Sequence, residues 1–182
     1  MKGNTLVILV AVIAALISAM YVSNKLQAKN ERIFPQTFAN IKASVVAPKL
    51  SRNNENENLA KKELKDPDTQ TYFYTAKVRG IEYSIVYAKY PAQVNFDGAI
   101  AAIAKVFKNN NFQYTTTNNK VNDLDGVLLT GSFYKDEKLY KIKEQLVKDT
   151  NTFWQFIVIF LEAYNNETLA QNYIDSIKII KE

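Results

Sequence analysis

The chain has 182 residues, 47% of them hydrophobic, and 23 Lys and Arg against 18 Asp and Glu give a formal net charge of +5 at pH 7. It contains no histidine and no cysteine, which excludes a Ser-His-Asp triad, a cysteine nucleophile and metal sites built on imidazole or thiolate. Much of the positive excess lies near the N-terminal apolar run, where contact with anionic lipid headgroups explains it more simply than nucleic acid does. We therefore predict no catalytic residue, no cofactor and no nucleic-acid partner.

An uncharged apolar run, Leu6 to Val22, begins the chain and predicts contact with a membrane. At ~1.5 Å per helical residue the run is just short of a ~30 Å hydrocarbon core, and a helix continuing to Leu26 would cross it. Residues 1–26 are accordingly predicted to be a transmembrane anchor. The alternative is a cleaved signal peptide. A cleavage site of the A-x-A type has a small residue two positions before its last alanine, whereas Ala19 and Ala28 have Ile17 and Leu26 there. Because no cysteine follows the run, a lipid-anchored lipoprotein is excluded.

The first residues are also similar to the start of a type IV pilin, which is cleaved after a glycine corresponding to Gly3. In that pattern the fifth residue after the glycine is acidic, whereas this chain has Ile8. Pro35 and Pro48 would also break the continuing helix. A pilin-like minor subunit is an alternative interpretation.

A short basic start followed by an apolar run is typical of exported proteins. We predict a protein of the bacterial inner membrane with its domain in the periplasm or outside the cell, or, alternatively, secretion after signal cleavage. Lys25, Lys29 and Arg32 follow the run, and by the positive-inside rule they favour the opposite orientation.

Residues 27–70 read as a polar, partly disordered tether. The stretch 51–58 is so poor in hydrophobic residues that it cannot bury enough surface to offset its ordering entropy. A short helix from Leu59 to Leu64 is possible before Asp66-Pro67 ends it. The folded domain is then predicted to comprise residues 71–182, where the long periodic elements lie.

The domain alternates between strand and helix periods. Residues 71–78 and 81–88 predict a hairpin, and residues 95–108 carry apolar side chains at helical spacing. Three further strands are predicted at 112–117, 127–134 and 139–147. The run 152–160 is almost wholly apolar and is predicted to be the central strand, and residues 166–177 form a closing amphipathic helix.

The order β-β-α-β-β-β-β-α predicts an α+β fold in which an antiparallel sheet packs with two helices as an α/β/α sandwich. Within it, an early hairpin, a pair of glycines and a closing Asp-Ser-hydrophobic-Lys-hydrophobic signature resemble the PsbP-like superfamily. The matching segments are 80–85, 126–131 and 173–179. The resemblance implies a binding or assembly module and no reaction.

Two features that could form sites have simpler structural interpretations. Asp123 and Asp125 precede Gly126 with the spacing of a partial calcium loop, but the later glutamate is missing, so we predict a turn. Trp154, the single tryptophan, lies in so apolar a run that we predict it to be a core residue rather than a ligand platform. Alternation places Trp154, Phe156, Val158 and Phe160 on one side of the strand.

Five lysines gather on one predicted hairpin and are the candidate partner-binding residues. They either form a solvated face that discourages edge pairing or a patch for an anionic partner. Two function classes remain, a noncatalytic membrane-anchored or exported protein-binding or assembly module, and a small-ligand carrier or enzyme whose site uses Asp, Glu, Lys, Tyr and Ser. The lysines are Lys135, Lys138, Lys141, Lys143 and Lys148.

Overall fold

The computed structural model describes residues 32–64, 68–93 and 95–180. The predicted anchor, and with it the signal-peptide and pilin-like alternatives, lies outside these residues. Within them, no helix combines the length and the apolar composition that a bilayer crossing requires.

Seven antiparallel strands form the main sheet, in the spatial order β3-β4-β5-β9-β8-β7-β6. Across the sheet, in the spatial order from β4 to β6, each strand pairs with its neighbour along most of its length, so the sheet is continuous. The strands are β3 (Ser51–Arg52), β4 (Gln70–Val78), β5 (Ile81–Lys89), β6 (Gln113–Val121), β7 (Leu124–Lys135), β8 (Lys138–Asp149) and β9 (Thr152–Leu161).

A smaller antiparallel sheet has the order β1-β2-β10 and joins the two ends of the described chain. Its strands are β1 (Phe34–Phe38), β2 (Ala43–Ala47) and β10 (Lys178–Ile179). The α-helices are α1 (Asn54–Leu64), α2 (Phe96–Asn109) and α3 (Glu167–Asp175). The described residues therefore form a mixed α+β fold with two antiparallel sheets and three α-helices, one sheet and one helix more than predicted for the domain.

The central strand β9 has apolar side chains on both faces, as its sequence predicts. Its neighbours are β5 and β8. On one face Phe153, Ile157 and Ile159 pack with α2. On the other face Trp154, Phe156, Val158 and Phe160 pack with β2 and α3. The two predicted helices thus cover opposite faces of the sheet, and the small sheet completes the cover of the second face.

The predicted tether is wrong for its described part, because residues 34–64 form strands and a helix of the fold. Ala43, Val45 and Ala47 alternate inward from β2 and are 0–1% exposed. Small side chains at these positions let β2 approach the large sheet closely, where the Trp154 Nε1–H donates to the Ile41 carbonyl oxygen at 2.7 Å. The helix α1 begins at Asn54, inside the stretch that was predicted to be disordered.

Strand β6 is also longer than predicted. Asn118 and Asn119, which follow the predicted strand 112–117, pair with Val127 and Gly126 of β7, and the turn comes later, at Asn122 and Asp123. A Cβ atom on Gly126 would lie 2.8–2.9 Å from the side chains of Asn119 and Gln145. The glycine therefore leaves room for the amide pair that these two side chains form, at 2.7 and 2.9 Å.

Candidate functional site

The predicted lysine patch is divided by the sheet. On β8, Lys143 is 8% exposed, and its ammonium contacts the Glu167 carboxylate and the Gln171 amide oxygen of α3. Lys141 pairs with Glu162 at 3.1 Å on the same face. Carboxylates of this chain therefore pair with both ammonium groups.

The other three lysines lie elsewhere on the hairpin. The Lys148 ammonium lies 5.5 Å from the centre of the Phe96 ring on the α2 side of the sheet. Lys135 and Lys138 lie opposite each other at the far end of the hairpin. Burial raises the pKa of Glu82, and the Lys135 charge acts to lower it. Ten residues of extended strand, about 34 Å, separate Lys138 from Lys148. The structure does not bring the five lysines together as one surface.

Strand β6 forms an open edge of the large sheet. In the described part of the chain no strand pairs with its outer side. Its middle, from Thr115 to Asn118, is exposed, and its sequence QYTTTNNKV contains no proline and a single charge, Lys120. An edge of this kind presents unpaired backbone N–H and C=O groups to an incoming strand, and proline, charge or a covering element normally blocks it.

The opposite edge of the same sheet is covered. Strand β3 pairs with Thr75 and Tyr74 of β4, and the Asn53 N–H donates to the Phe73 carbonyl oxygen at 2.8 Å. The buried Glu57 carboxylate of α1 accepts from the Phe73 N–H at 3.1 Å and binds the Arg52 guanidinium through both oxygens. Of the two edges of the large sheet in the described part of the chain, the β6 edge is therefore the open one.

A buried carboxyl group lies between the sheet and α2. Glu144 of β8 is 1% exposed, and its carboxyl accepts a hydrogen bond from the Gln155 Nε2 at 2.6 Å. Burial raises the pKa of Glu144 to about 7, against the opposing effect of the Gln155 hydrogen bond. Sequence reasoning missed this residue, although Glu144 occupies an apolar position of the alternation between Ile142 and Leu146. The site is closed to solvent, so we interpret it as a titrating core group.

Stability should fall as the pH rises from about 4.5 to about 7, because the folded chain holds the Glu144 proton more tightly than the unfolded chain does. The rise of the Glu144 pKa from 4.5 to about 7 corresponds to a loss on the order of 3 kcal/mol between pH 4 and pH 8. Glu144→Gln should remove this loss and be more stable than the parent chain at pH 8. Urea unfolding at both pH values measures the difference.

Glu82 provides the control for that experiment, because burial also raises its pKa. Glu82→Gln should leave most of the pH dependence in place. If Glu144→Gln keeps the full pH dependence of the parent chain, the proton is bound elsewhere and the assignment to Glu144 is wrong.

The calcium alternative at Asp123 and Asp125 gains no support from the structure. The two residues flank the start of β7, and Asn122 and Asp123 form the left-handed turn before it, with φ of 49° and 67°. The predicted turn is therefore confirmed. Across residues 32–64, 68–93 and 95–180, no three acidic side chains approach one another closely enough to hold a metal ion.

The sequence matches no protein-family model and none of the curated proteins. Among solved structures, PA94 of Pseudomonas aeruginosa, a protein of unknown function, is 11% identical, with 80% of this chain and 95% of that chain covered at a TM-score of 0.46. LpqN of Mycobacterium tuberculosis, which is involved in cell envelope biogenesis, is 10% identical, with 91% and 97% covered at a TM-score of 0.45. Neither is a PsbP protein, so the PsbP-like resemblance stays a prediction. At these identities and TM-scores, neither likeness identifies a family for this chain or carries an argument about its function.

Proposed function

We propose that this chain is a noncatalytic assembly module that associates with a second copy of itself through the β6 edge, and that the run Leu6 to Val22 delivers it to the cell envelope. The observation that carries the proposal is that the β6 edge of the large sheet is open, whereas β3 and Glu57 of α1 cover the opposite edge at β4. Addition of a strand to such an edge uses backbone hydrogen bonds that any extended segment can supply. The sequence of β6 favours a second β6 as that segment.

Antiparallel pairing of two β6 strands is self-complementary when Thr117 lies on the two-fold axis. This register pairs all nine residues of each strand, so that Thr116 faces Asn118 and Thr115 faces Asn119. The one charge of the strand, Lys120, then faces Tyr114 of the other copy rather than a second lysine. Like charges directly opposite each other are destabilising in antiparallel pairs, and this register avoids them.

The continuous sheet that results would contain both copies of the seven strands. Its new contact would extend over about 30 Å of strand, at ~3.4 Å per residue. Because β6 is polar on both faces along its middle, the pairing depends on backbone hydrogen bonds more than on buried apolar area. We therefore expect a reversible, concentration-dependent dimer rather than an obligate one.

Single cysteines test the register, since the parent chain has none. In the full-length chain, kept in a mild detergent, Thr117→Cys should form a disulfide-linked dimer under mild oxidation. Residues directly opposite in an antiparallel pair have Cα atoms ~4.5–5.5 Å apart, within the range that a disulfide needs. Nonreducing gel electrophoresis measures the dimer fraction, and light scattering of the parent chain measures the dimer without a cross-link.

The matched control is Thr115→Cys, which is exposed on the same strand. In the proposed register its copies lie about 14 Å apart along the strand direction, beyond the reach of a disulfide. Equal cross-linking at both positions would indicate random collision, and a monomeric parent chain with no dimer of the Thr117→Cys variant would overturn the proposal.

A further inference from the structure

The excess of positive charge is concentrated in the first part of the chain. Residues 1–53 contain seven lysines and arginines and a single acidic residue, Glu31. The 129 residues that follow are close to neutral, with 16 basic and 17 acidic side chains. The excess therefore lies in and next to the part of the chain that contains the run Leu6 to Val22.

Two of these basic residues lie at one end of the small sheet. The antiparallel pairing of β1 with β2 begins where Phe34 lies opposite Ala47. The same register, continued two residues further, brings Arg32 level with Lys49. Both residues are exposed, and among the described residues no carboxylate forms an ion pair with either of them. Because like charges that face each other in an antiparallel pair are destabilising, an anionic surface would stabilise this end of the sheet.

The turn that carries Lys49 is held by one side chain of β1. The Gln36 Nε2 donates to the carbonyl oxygens of Ala47 at 3.0 Å and Pro48 at 2.6 Å. The Gln36 Oε1 accepts from the Leu50 N–H at 2.9 Å. The Leu50 side chain is buried in the core on this face of the large sheet. Lys49 is thus the exposed residue of a turn whose backbone is bonded on both sides of it.

Two large apolar side chains accompany these charges. Ile33 is 38% exposed and Phe34 is 41% exposed. At the other end of the same strand, Phe38 instead packs on Tyr74, with the ring centres 4.6 Å apart. Exposed apolar side chains beside basic ones are typical of surfaces that contact membranes, since the apolar groups enter the headgroup boundary and the cations attract anionic lipids. We call this set the basic end of the small sheet: Arg32, Ile33, Phe34 and Lys49.

The length of the intervening chain keeps the basic end close to the apolar run. Nine residues, 23–31, separate Val22 from Arg32. At ~3.3–3.6 Å per extended residue, Arg32 stays within about 35 Å of the end of the run. A tether this short gives a high effective concentration of the domain at the surface that holds the run, so weak contacts suffice for docking.

We propose that the basic end docks on the surface of the membrane that holds the apolar run, with Arg32 and Lys49 against anionic lipid headgroups and the two apolar side chains at the headgroup boundary. The inference rests on the membrane delivery in the proposed function. It is independent of pairing at β6, because the basic end belongs to the other sheet. Docking of this kind would set the orientation of the folded domain relative to the bilayer.

A single cysteine labelled with an environment-sensitive fluorophore tests the docking, since the parent chain has no cysteine. The full-length Pro35→Cys chain is reconstituted in vesicles of phosphatidylcholine alone or of an equal mixture of phosphatidylcholine and phosphatidylglycerol. The label emission should be blue-shifted in the anionic vesicles relative to the neutral ones. Raising the salt concentration to ~1 M should reverse this shift, because the Debye length falls to ~3 Å. Both leaflets have the same lipids, so either orientation of the chain gives the same signal.

Matched controls separate this docking from adsorption of the whole domain. A label at Ala101→Cys, exposed on α2 at the opposite face of the large sheet, should emit alike in both kinds of vesicle. In the Pro35→Cys chain, the double substitution Arg32→Gln and Lys49→Gln should abolish the blue shift. The double substitution Lys105→Gln and Lys108→Gln removes the same charge from exposed positions of α2 and should keep the shift. Circular dichroism of each variant establishes that the fold is intact.

Three results would overturn this inference alone. The first is equal emission in both kinds of vesicle from a chain that floats with them in a density gradient. The second is a blue shift that survives loss of Arg32 and Lys49, which would indicate contact with a second copy or apolar contact alone. The third is an equal shift at Ala101→Cys. A full-length chain that does not float with the vesicles would overturn the membrane delivery in the proposed function and this inference with it.

Discussion

A chain that begins at Lys65 should fail to fold cooperatively, even though it keeps six of the seven strands of the large sheet. The truncation removes β1, β2, β3 and α1 together. Ile41, Ala43, Val45 and Ala47, each 0–1% exposed, would no longer cover the face that carries Trp154. We expect the free-energy cost of exposing that apolar face to exceed the free energy of unfolding of a folded domain, which is about 5–15 kcal/mol.

A chain that begins at Arg32 is the control and should unfold in one cooperative transition. Urea unfolding followed by both fluorescence and circular dichroism distinguishes the two chains, since coincident transitions indicate two-state behaviour. The Lys65 chain should instead show noncoincident transitions and bind a hydrophobic dye, as loosely packed states do. Coincident, sharp transitions of the Lys65 chain would contradict the role of residues 32–64 in the core.

The long strands could be predicted because their alternation is strong. Ile81, Tyr83, Ile85 and Tyr87 recur at every second position and lie in one core cluster, as the pattern predicts. The doubly apolar run of β9 likewise predicts a central strand covered on both faces. The sequence of each of these strands predicts the strand directly, because its burial pattern repeats over eight or more residues.

The segment before residue 71 could not be predicted from the same kind of signal. Strand β2 has only five residues, and two of its three inward positions are alanines, which contribute little to an average hydrophobicity. Helix α1 has a largely polar sequence, and its role depends on Glu57, whose carboxylate caps the Phe73 N–H of a strand distant in sequence. Contacts of this long-range kind leave no period in the sequence.

The candidate sites could also be predicted from the sequence only in part. Parity along β8 already assigns Lys141 and Lys143 to one face and Lys138 and Lys148 to the other. The division of the lysine patch could therefore have been predicted. The open edge at β6 could not, because a strand that is polar on both faces has no alternation and its Asn118-Asn119 pair is typical of a turn.

Trp154→Ala should lower the free energy of unfolding by about 3–5 kcal/mol, the usual cost of removing a buried large side chain. The indole is 4% exposed and contacts Tyr87 edge-to-face, so its loss leaves a cavity between the two sheets. Urea unfolding followed by circular dichroism measures the change, because the variant has no tryptophan left to report. The parent chain should emit with the blue-shifted spectrum of a buried indole.

Trp154→Phe separates packing from hydrogen bonding at the same position. The smaller ring keeps part of the apolar contact but removes the Nε1–H, leaving the Ile41 carbonyl oxygen without its donor. An unpaired buried acceptor costs about 1–3 kcal/mol, so this variant should be less destabilised than Trp154→Ala. A near-normal melting temperature for Trp154→Ala, with water-exposed emission from the parent chain, would contradict the assignment of Trp154 to the core. The hydrogen bond from Trp154 Nε1 to the Ile41 carbonyl oxygen joins β9 to the turn between β1 and β2. Without that role for Trp154, the small sheet would need another anchor.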